Sequence, residues 1–561
     1  MVRVGTWHLA VKNSHGAIWR RLEIMNTHRY ANRSKARAAA LAFGASLALC
    51  FAASAAMAAA TFDVVGQPIL ALAKAQSEGR VTSLQLVDAY LARIAKLDKT
   101  GPSLHSVLAI NSLARAQARA LDAERAAGHV RGPLHGIPLL VKDNIETADP
   151  MPTTAGSLAL AANIGHRDAP LVARLRAAGA VILGKTNLSE WANIRSSVSV
   201  SGWSAVGGQT RNPYTLDRNA CGSSSGSAAA VAASLAAAAI GTETDGSITC
   251  PASMTGLVGI KPTVGLVSRT FVVPISHSQD TPGPLTHTVA DAALLLGIMA
   301  GSDPLDPATR DADKHIADLT NSAPRDLHGV RIGVMRVSTA LPAVKALLEA
   351  TIARLGAAGA TVVEVESPKE SDKLNDLELA VMLTELKADL GNYLATTPKE
   401  VEVRTLADVI AFNQSHANQE MPIFGQDLFE KAQGTLGLQD TPYLEALETS
   451  RRIAGRDGLE KMFSAQQLAA IIAPTMGPAF LIDQVNGDAI NASGPGNLPA
   501  IAGFPHLTVP MGMVKGLPVG LSVIGAAWSD KEVLALGGAL ETIVGHVPRP
   551  TYQPQSRIYI Q

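Results

Sequence analysis

The chain has 561 residues, with 48 lysines and arginines balanced by 48 aspartates and glutamates. Zero net charge supplies no field to gather phosphate backbones, which argues against a nucleic-acid partner, and three cysteines are too few for a disulfide-built scaffold. Hydrophobic residues make up 47% and aromatic ones only 4%, so the core is built mainly from Ala, Val, Leu and Ile, and a disordered or collagen-like chain is excluded.

Residues 1–60 read as a leader. Arg29, Arg33, Lys35 and Arg37 precede an apolar run from Ala38 to Ala60, which contains the A-x-A site Ala56-Met57-Ala58. A basic region, an apolar region and a small-residue cleavage site describe a secretory signal peptide, running here from Met25 to about Ala58–Ala60. An uncleaved membrane anchor competes with this reading, since the run is about long enough to span. Its weakly apolar, Ala-rich composition favours cleavage, and Leu49 before Cys50 fits a lipobox poorly. The expectation is an exported protein, periplasmic or secreted, with no stable membrane association once the leader is removed.

Residues 61–561 contain no repeat, linker or charge block. Residues 81–127 have the periodicity of two amphipathic helices, the first capped around Thr82 and Ser83. Short apolar runs at 136–141, 180–183 and 361–363 then alternate with helical stretches such as LVARLRAAG and PAVKALLEATIARLGAAG. This alternation predicts an α/β sheet covered by helices on both faces. Residues 365–465 read as a mainly helical, polar insertion, and the tail returns to strand-like runs (AIIAP, LTVPMG, GLSVIG) before a closing helix.

Three segments can carry chemistry. Lys142 ends the apolar run IPLLVK, where burial would favour the neutral amine and make it a base; a lysine snorkelling to solvent is the alternative. The Ser-rich stretch Gly222-Ser223-Ser224-Ser225-Gly226-Ser227 opens an Ala-rich helix and is either a helix cap or a catalytic segment. It also matches G-x-S-x-G around Ser224, but the polar NPYTLDRNAC before it is not the buried strand that a nucleophile elbow needs. In Gly241-Thr-Glu-Thr-Asp245-Gly246-Ser247, a serine in a tight Gly-containing turn leaves backbone N–H groups free, as an oxyanion hole requires.

In their order along the chain, Lys142, Ser223 and Ser247 resemble the Ser–cisSer–Lys triad of the amidase signature family. The resemblance extends through PLHGIPLLVKDN, GKTNLSEWAN, the Gly/Ser-rich stretch 222–259, GIKPTVGLVSR, QDTPGPLTHTVADAA and PAIAGFPHLTVPMG. It implies a single α/β/α domain over residues 61–561 with a mixed, largely parallel sheet. It further implies Ser247 as nucleophile, Ser223 as a bridging serine in a cis peptide linkage, and Lys142 as ultimate base. The oxyanion would be held by the backbone of Thr244, Asp245, Gly246 and Ser247, with Ser224 and Ser225 orienting Lys142. No cofactor is implied, and the partner is a small-molecule or peptide amide. Many members read G-T-D-x-G-G-S-I-R at the nucleophile, where this chain has Glu243, Asp245 and Thr249 in place of Asp, Gly and Arg. In the A subunit of bacterial glutamyl-tRNA amidotransferase that Arg helps hold the charged end of the amino-acid substrate, so its loss here argues against a tRNA-linked glutaminase. GTETDGSITCPAS and SEWAN look like the peptide amidase branch, which removes the C-terminal amide of peptides.

Other readings stay open on the sequence alone. One is an α/β-hydrolase esterase using Ser224 with His506 or His546; another is a binding protein on a retired amidase scaffold. Trp191, Trp203 and Phe271 suit an acyl pocket or the core. The histidines show no H-E-x-x-H and the cysteines no C-x-x-C, so no metal site is expected. The acidic stretch Asp303 to Asp313 lacks calcium-loop spacing and reads as a solvated turn. Cys221 and Cys250 flank the two serines and are structural thiols by default, with pairing open to them in an oxidising compartment.

Overall fold

The computed structural model describes residues 62–555, apart from 318, 322, 338–339 and 491–493. The leader and its cleavage site lie outside the described residues. From Phe62 onward the chain forms one compact unit.

Eleven strands make one sheet. In chain order they are β1 (Val107–Ile110), β2 (Pro138–Lys142), β3 (Val181–Thr186), β4 (Ala238–Glu243), β5 (Val258–Lys261), β6 (Thr281–Thr286), β7 (Arg331–Met335), β8 (Thr361–Val365), β9 (Ala470–Pro474), β10 (His506–Val514) and β11 (Leu517–Ile524). Their order across the sheet is β1-β3-β2-β4-β6-β5-β10-β11-β9-β7-β8. The sheet is mixed and flanked by helices, but the expected predominance of parallel pairing does not hold. Parallel pairs occur only in two patches, β3-β2-β4 and β9-β7-β8, and the centre between them is antiparallel. One cause is visible between β10 and β11. Val514 pairs with Leu517 across a two-residue turn in which Lys515 and Gly516 both have positive φ, +48° and +81°. So short a connection permits only an antiparallel return.

The strands that carry the candidate residues are buried along their whole length; this holds for β2, β3 and β4. A parallel strand covered on both faces must be apolar throughout, which is why PLLVK lacks alternation and why its terminal lysine is enclosed. Helix Ser83–Arg93 begins at Thr82, which forms a capping box with Gln85 and packs with helix Ala114–Ala126 over this end of the sheet. Helices from Leu374 to Gln466 build the insertion. They share a core with the sheet side of the molecule in which Leu386, Leu390 and Phe429 meet Trp191 and Ile275. Among the described residues no helix is long and apolar enough to cross a membrane.

The acidic stretch is only in part the solvated turn expected: Asp311 and Asp313 are exposed, but its first half turns inward. Asp306 is buried and its carboxylate takes the Arg269 guanidinium at 2.6 Å, while Asp303 accepts a hydrogen bond from Ser268 at 2.6 Å. These carboxylates hold the 268–270 segment, which requires them to turn inward.

Helix Ser225–Ala232 is buried at every residue. Small side chains are what its position allows: a Cβ on Gly226 would stand 2.4 Å from the carbonyl oxygens of Asn187 and Ser106. Backbone on both sides cannot move aside, so Gly226→Ala should destabilise the protein by about 2–3 kcal/mol. Chemical denaturation would register this as a lower midpoint, and an unchanged midpoint would contradict the close packing.

Candidate active site

Lys142 closes β2, and its neighbour β4 runs parallel in a register that sets Val141 opposite Ile240. The Lys142 side chain is fully buried. Its Nζ lies within hydrogen-bond distance of Ser223 Oγ at 2.7 Å, Thr242 Oγ1 at 2.8 Å and Thr242 O at 3.3 Å. Asn144 Nδ2 donates to the same Thr242 hydroxyl at 3.0 Å. Among the described residues no carboxylate touches the amine. Burial pulls its pKa down to about 7, against the upward pull of the Asp280 and Glu243 carboxylates.

The Gly222–Ser223 peptide is cis. The next residue ties this segment to the nucleophile turn: Ser224 N–H donates to the Ser247 carbonyl at 3.1 Å. Ser224 Oγ donates to Thr242 O at 3.1 Å and accepts from Thr242 N–H at 3.2 Å, while Ser225 Oγ donates to the Cys221 carbonyl. Neither hydroxyl reaches Lys142, so the expectation that Ser224 and Ser225 orient it is corrected. Thr242 orients the lysine, and Ser224 holds Thr242.

Beyond β4 the chain turns sharply through Thr244, Asp245, Gly246 and Ser247. Gly246 adopts φ +74°, a conformation glycine takes at no steric cost. Two carboxylates brace the turn. Glu243 accepts from the N–H groups of Ile248 at 2.7 Å and Thr249 at 2.9 Å. Asp280 takes the Thr244 hydroxyl and also the N–H groups of Ile275 at 2.8 Å and Ser276 at 2.9 Å. Burial, the largest influence, pushes the Asp280 carboxyl up to about 6. With the turn held from outside, no protein acceptor among the described residues meets the N–H groups of Asp245, Gly246 or Ser247. Asp245, Gly246 and Ser247 line a cleft of about 800 Å³, together with Gly222, Asn375, Met476 and Gly496.

A second cavity of about 520 Å³ lies against Asn144, Thr242 and Phe271 and shares Ala192, Thr244 and Ile275 with the first. Phe271 lines it beneath the Arg167 guanidinium, 3.7 Å from the ring centroid. Trp191 and Trp203 do not line either cavity; they are core residues, packed edge-on against Phe429 and Phe424.

The default reading of Cys221 and Cys250 as thiols is overturned. They form a disulfide, their Cα atoms 5.9 Å apart across a sequence separation of 29. Spacing alone could not bring them together; the Ser224–Ser247 contact does. The bond joins the residue before the cis peptide to the helix that follows Ser247.

The rival esterase constellation is not assembled. Ser224 is fully buried with its hydroxyl engaged on Thr242, while His506 Nε2 meets Ser522 Oγ at 2.7 Å and His546 lines a separate cavity beside His287. One group among the described residues has the geometry to hold a cation: His277, Glu385 and Asp389. Its members are already engaged, His277 Nδ1 with Asp389 at 2.9 Å and Glu385 with Ser278 N–H at 3.0 Å and Tyr443 OH at 2.8 Å. The hydrogen bond to Asp389 holds the His277 pKa above its usual value, as in an ion pair.

Sequence reasoning missed Thr242, Asn144 and Asp280 as parts of the site. Asn144 and Asp280 stood within quoted motifs, but only the sheet pairing shows that they converge on Lys142 and Thr244.

The profile of the amidase family matches residues 85–534. A probable amidase of Arabidopsis thaliana is 40% identical over 505 residues, 87% of this chain and 92% of its own length. Native peptide amidase from Stenotrophomonas maltophilia is 48% identical with a TM-score of 0.83, over 87% of this chain and 99% of that one. An amidase family protein from Bacillus anthracis is 35% identical with a TM-score of 0.79, over 87% and 93%.

The disulfide closes a long loop in the unfolded chain. Replacing both cysteines by serine should therefore lower stability by about 3–4 kcal/mol, read as a fall in unfolding midpoint. A wild-type protein with two alkylatable thiols at these positions after unfolding without reductant would contradict the bond.

Proposed function

The chain belongs to the amidase family and hydrolyses amide bonds, and from that premise we propose that it is an exported hydrolase of C-terminal peptide amides working through a Ser247 acyl-enzyme. The observation that carries the mechanism is a buried lysine bonded to Ser223, on a segment whose next residue is bonded to Ser247. A neutral amine has two N–H bonds and one lone pair. In the proposed resting state the two N–H bonds go to the Thr242 carbonyl and hydroxyl, and the Ser223 hydroxyl donates into the lone pair.

Ser247 Oγ attacks the amide carbonyl while its proton passes to Ser223 and the Ser223 proton to Lys142. The oxyanion is received by the turn from Thr244 to Ser247, where the N–H groups of Asp245, Gly246 and Ser247 have no protein acceptor among the described residues. Collapse breaks the C–N bond, and Ser223 returns a proton to the departing ammonia, regaining its own from Lys142. Water, deprotonated along the same path, releases the acid and frees Ser247.

Two observations support the substrate. Among the described residues the cleft lining contains no lysine or arginine, so a free carboxylate finds no partner there where a neutral amide fits; and the Stenotrophomonas maltophilia relative is a peptide amidase. Export rests on the leader sequence and on the Cys221–Cys250 bond, since disulfides persist in oxidising compartments.

Ser247→Ala should lose about 10⁴-fold or more in kcat/KM and fail to form an adduct with a fluorophosphonate probe, whereas Ser224→Ala should still be labelled. A labelled, active Ser247→Ala protein would return the esterase reading, and an unlabelled folded wild type the binding-protein reading. Because the base must be neutral, kcat/KM should fall about tenfold per pH unit below about 7 as Lys142 takes up its proton. An amide-hydrolysis profile flat down to about pH 4 is the contradicting result.

A further inference from the structure

Asp245 stands two residues before Ser247, and its side chain is exposed while Glu243, Thr244 and Ser247 around it are buried. Among the described residues, two charged ones line the cleft, Asp245 and Asp488. They differ in what they hold. Asp488 accepts Ser201 N–H at 3.0 and 3.1 Å and lies 3.4 Å from Asn219 Nδ2. Asp245 accepts no hydrogen bond and forms no ion pair among the described residues.

The charges that face Asp245 are Glu243 on its own segment, Lys261 at the end of β5, and Glu378 from the insertion. Lys261 is fully buried, with its Nζ on the Pro262 carbonyl at 3.1 Å. Glu378 accepts from Gln279 Nε2 at 2.6 Å. Depth in the protein, and then Glu243, push the Asp245 carboxyl up to about 7, and burial and Asp245 together hold Glu378 well above its usual value. Asp245 thus lines the cleft within electrostatic reach of a second, buried carboxyl, Glu378. Gly496 stands opposite in the cleft lining, where an added Cβ would lie in ordinary contact, 3.7 Å from Asp245 Oδ1.

We propose that Asp245 is a specificity residue that binds an ammonium group of the substrate and so selects short amides with a free amino terminus. Its place in the chain sets the distance: two residues span at most about 7 Å, which puts the ammonium within one or two residues of the carbonyl attacked by Ser247. An amino-acid amide or a dipeptide amide has that shape; a long peptide amide or an N-blocked one does not. The inference rests on the peptide-amide reading above and narrows it.

The test compares alanyl-phenylalaninamide with its N-acetyl form in wild type, Asp245→Asn and Asp245→Glu. The quantity read is the ratio of kcat/KM for the two substrates, in which any change in the oxyanion turn common to both cancels. Wild type should favour the free amine about tenfold or more at pH 7.5, Asp245→Glu should keep most of that preference, and Asp245→Asn should reduce it to within about threefold. The preference should sit mainly in KM. It should fade below about pH 7, as Asp245 is protonated, and above about pH 8, where an α-amino group loses its proton. An unchanged ratio in Asp245→Asn, or a wild type that prefers the acetylated amide, overturns the proposal. If neither amide is hydrolysed, the peptide-amide reading fails by itself. Calorimetry on Ser247→Ala then decides the ammonium site: tighter binding of the free amine, abolished by adding Asp245→Asn, supports it, and equal affinities overturn it.

Discussion

On the mechanism proposed above, a lysine kept neutral in the interior is the condition on which the rest of this site depends. An ammonium cannot take a proton, so Lys142 must be denied both water and a touching carboxylate. Complete burial at the end of β2 removes the water. Four acidic side chains, Glu243, Asp245, Asp280 and Glu378, nevertheless lie around the nucleophile turn. Glu243 and Asp280 are kept from the lysine by backbone N–H groups and the Thr244 hydroxyl. The bonds that brace the turn are therefore also the bonds that hold the base's pKa down.

Lys185 shows what the alternative looks like in the same protein. It is as fully buried as Lys142, on the adjacent strand β3. Its Nζ donates to the Ile145 carbonyl at 2.6 Å and Thr153 Oγ1 at 2.7 Å, with Asp143 Oδ1 at 3.7 Å. A carboxylate within reach makes a structural anchor of this amine, tying β3 to the 143–154 loop. Lys142 touches hydroxyls and a carbonyl only, and that difference in partners separates a base from a strut.

How much of this was legible in the chain can be judged residue by residue. Lys142, Ser223 and Ser247 could be picked out because an amine after an apolar run and serines in Gly-rich turns are locally unusual. The helices and strands could be placed because their periodicity is local too. Thr242 carries no such mark; its role exists only because β2 and β4 pair in one register. The direction of strand pairing, the Cys221–Cys250 bond and the inward turn of Asp306 are likewise set by tertiary packing, which residue types at a given spacing do not encode. Ser224 was misjudged for a related reason: being next to the bridging serine in sequence, it points to a different partner in space.

The separations recorded in these contacts have a consequence for when the protein becomes an enzyme. Lys142 and Ser223 are 81 residues apart and Lys142 and Thr242 are 100 apart, and no piece of chain that ends before β4 holds both. Contacts of this range form late and slowly, because the loop between them must be closed first. A chain still emerging from synthesis carries an ordinary protonated lysine in water and an unactivated serine. Hydrolytic activity is thus a property of the finished fold alone, and its first appearance reports that the sheet has closed from β2 to β4.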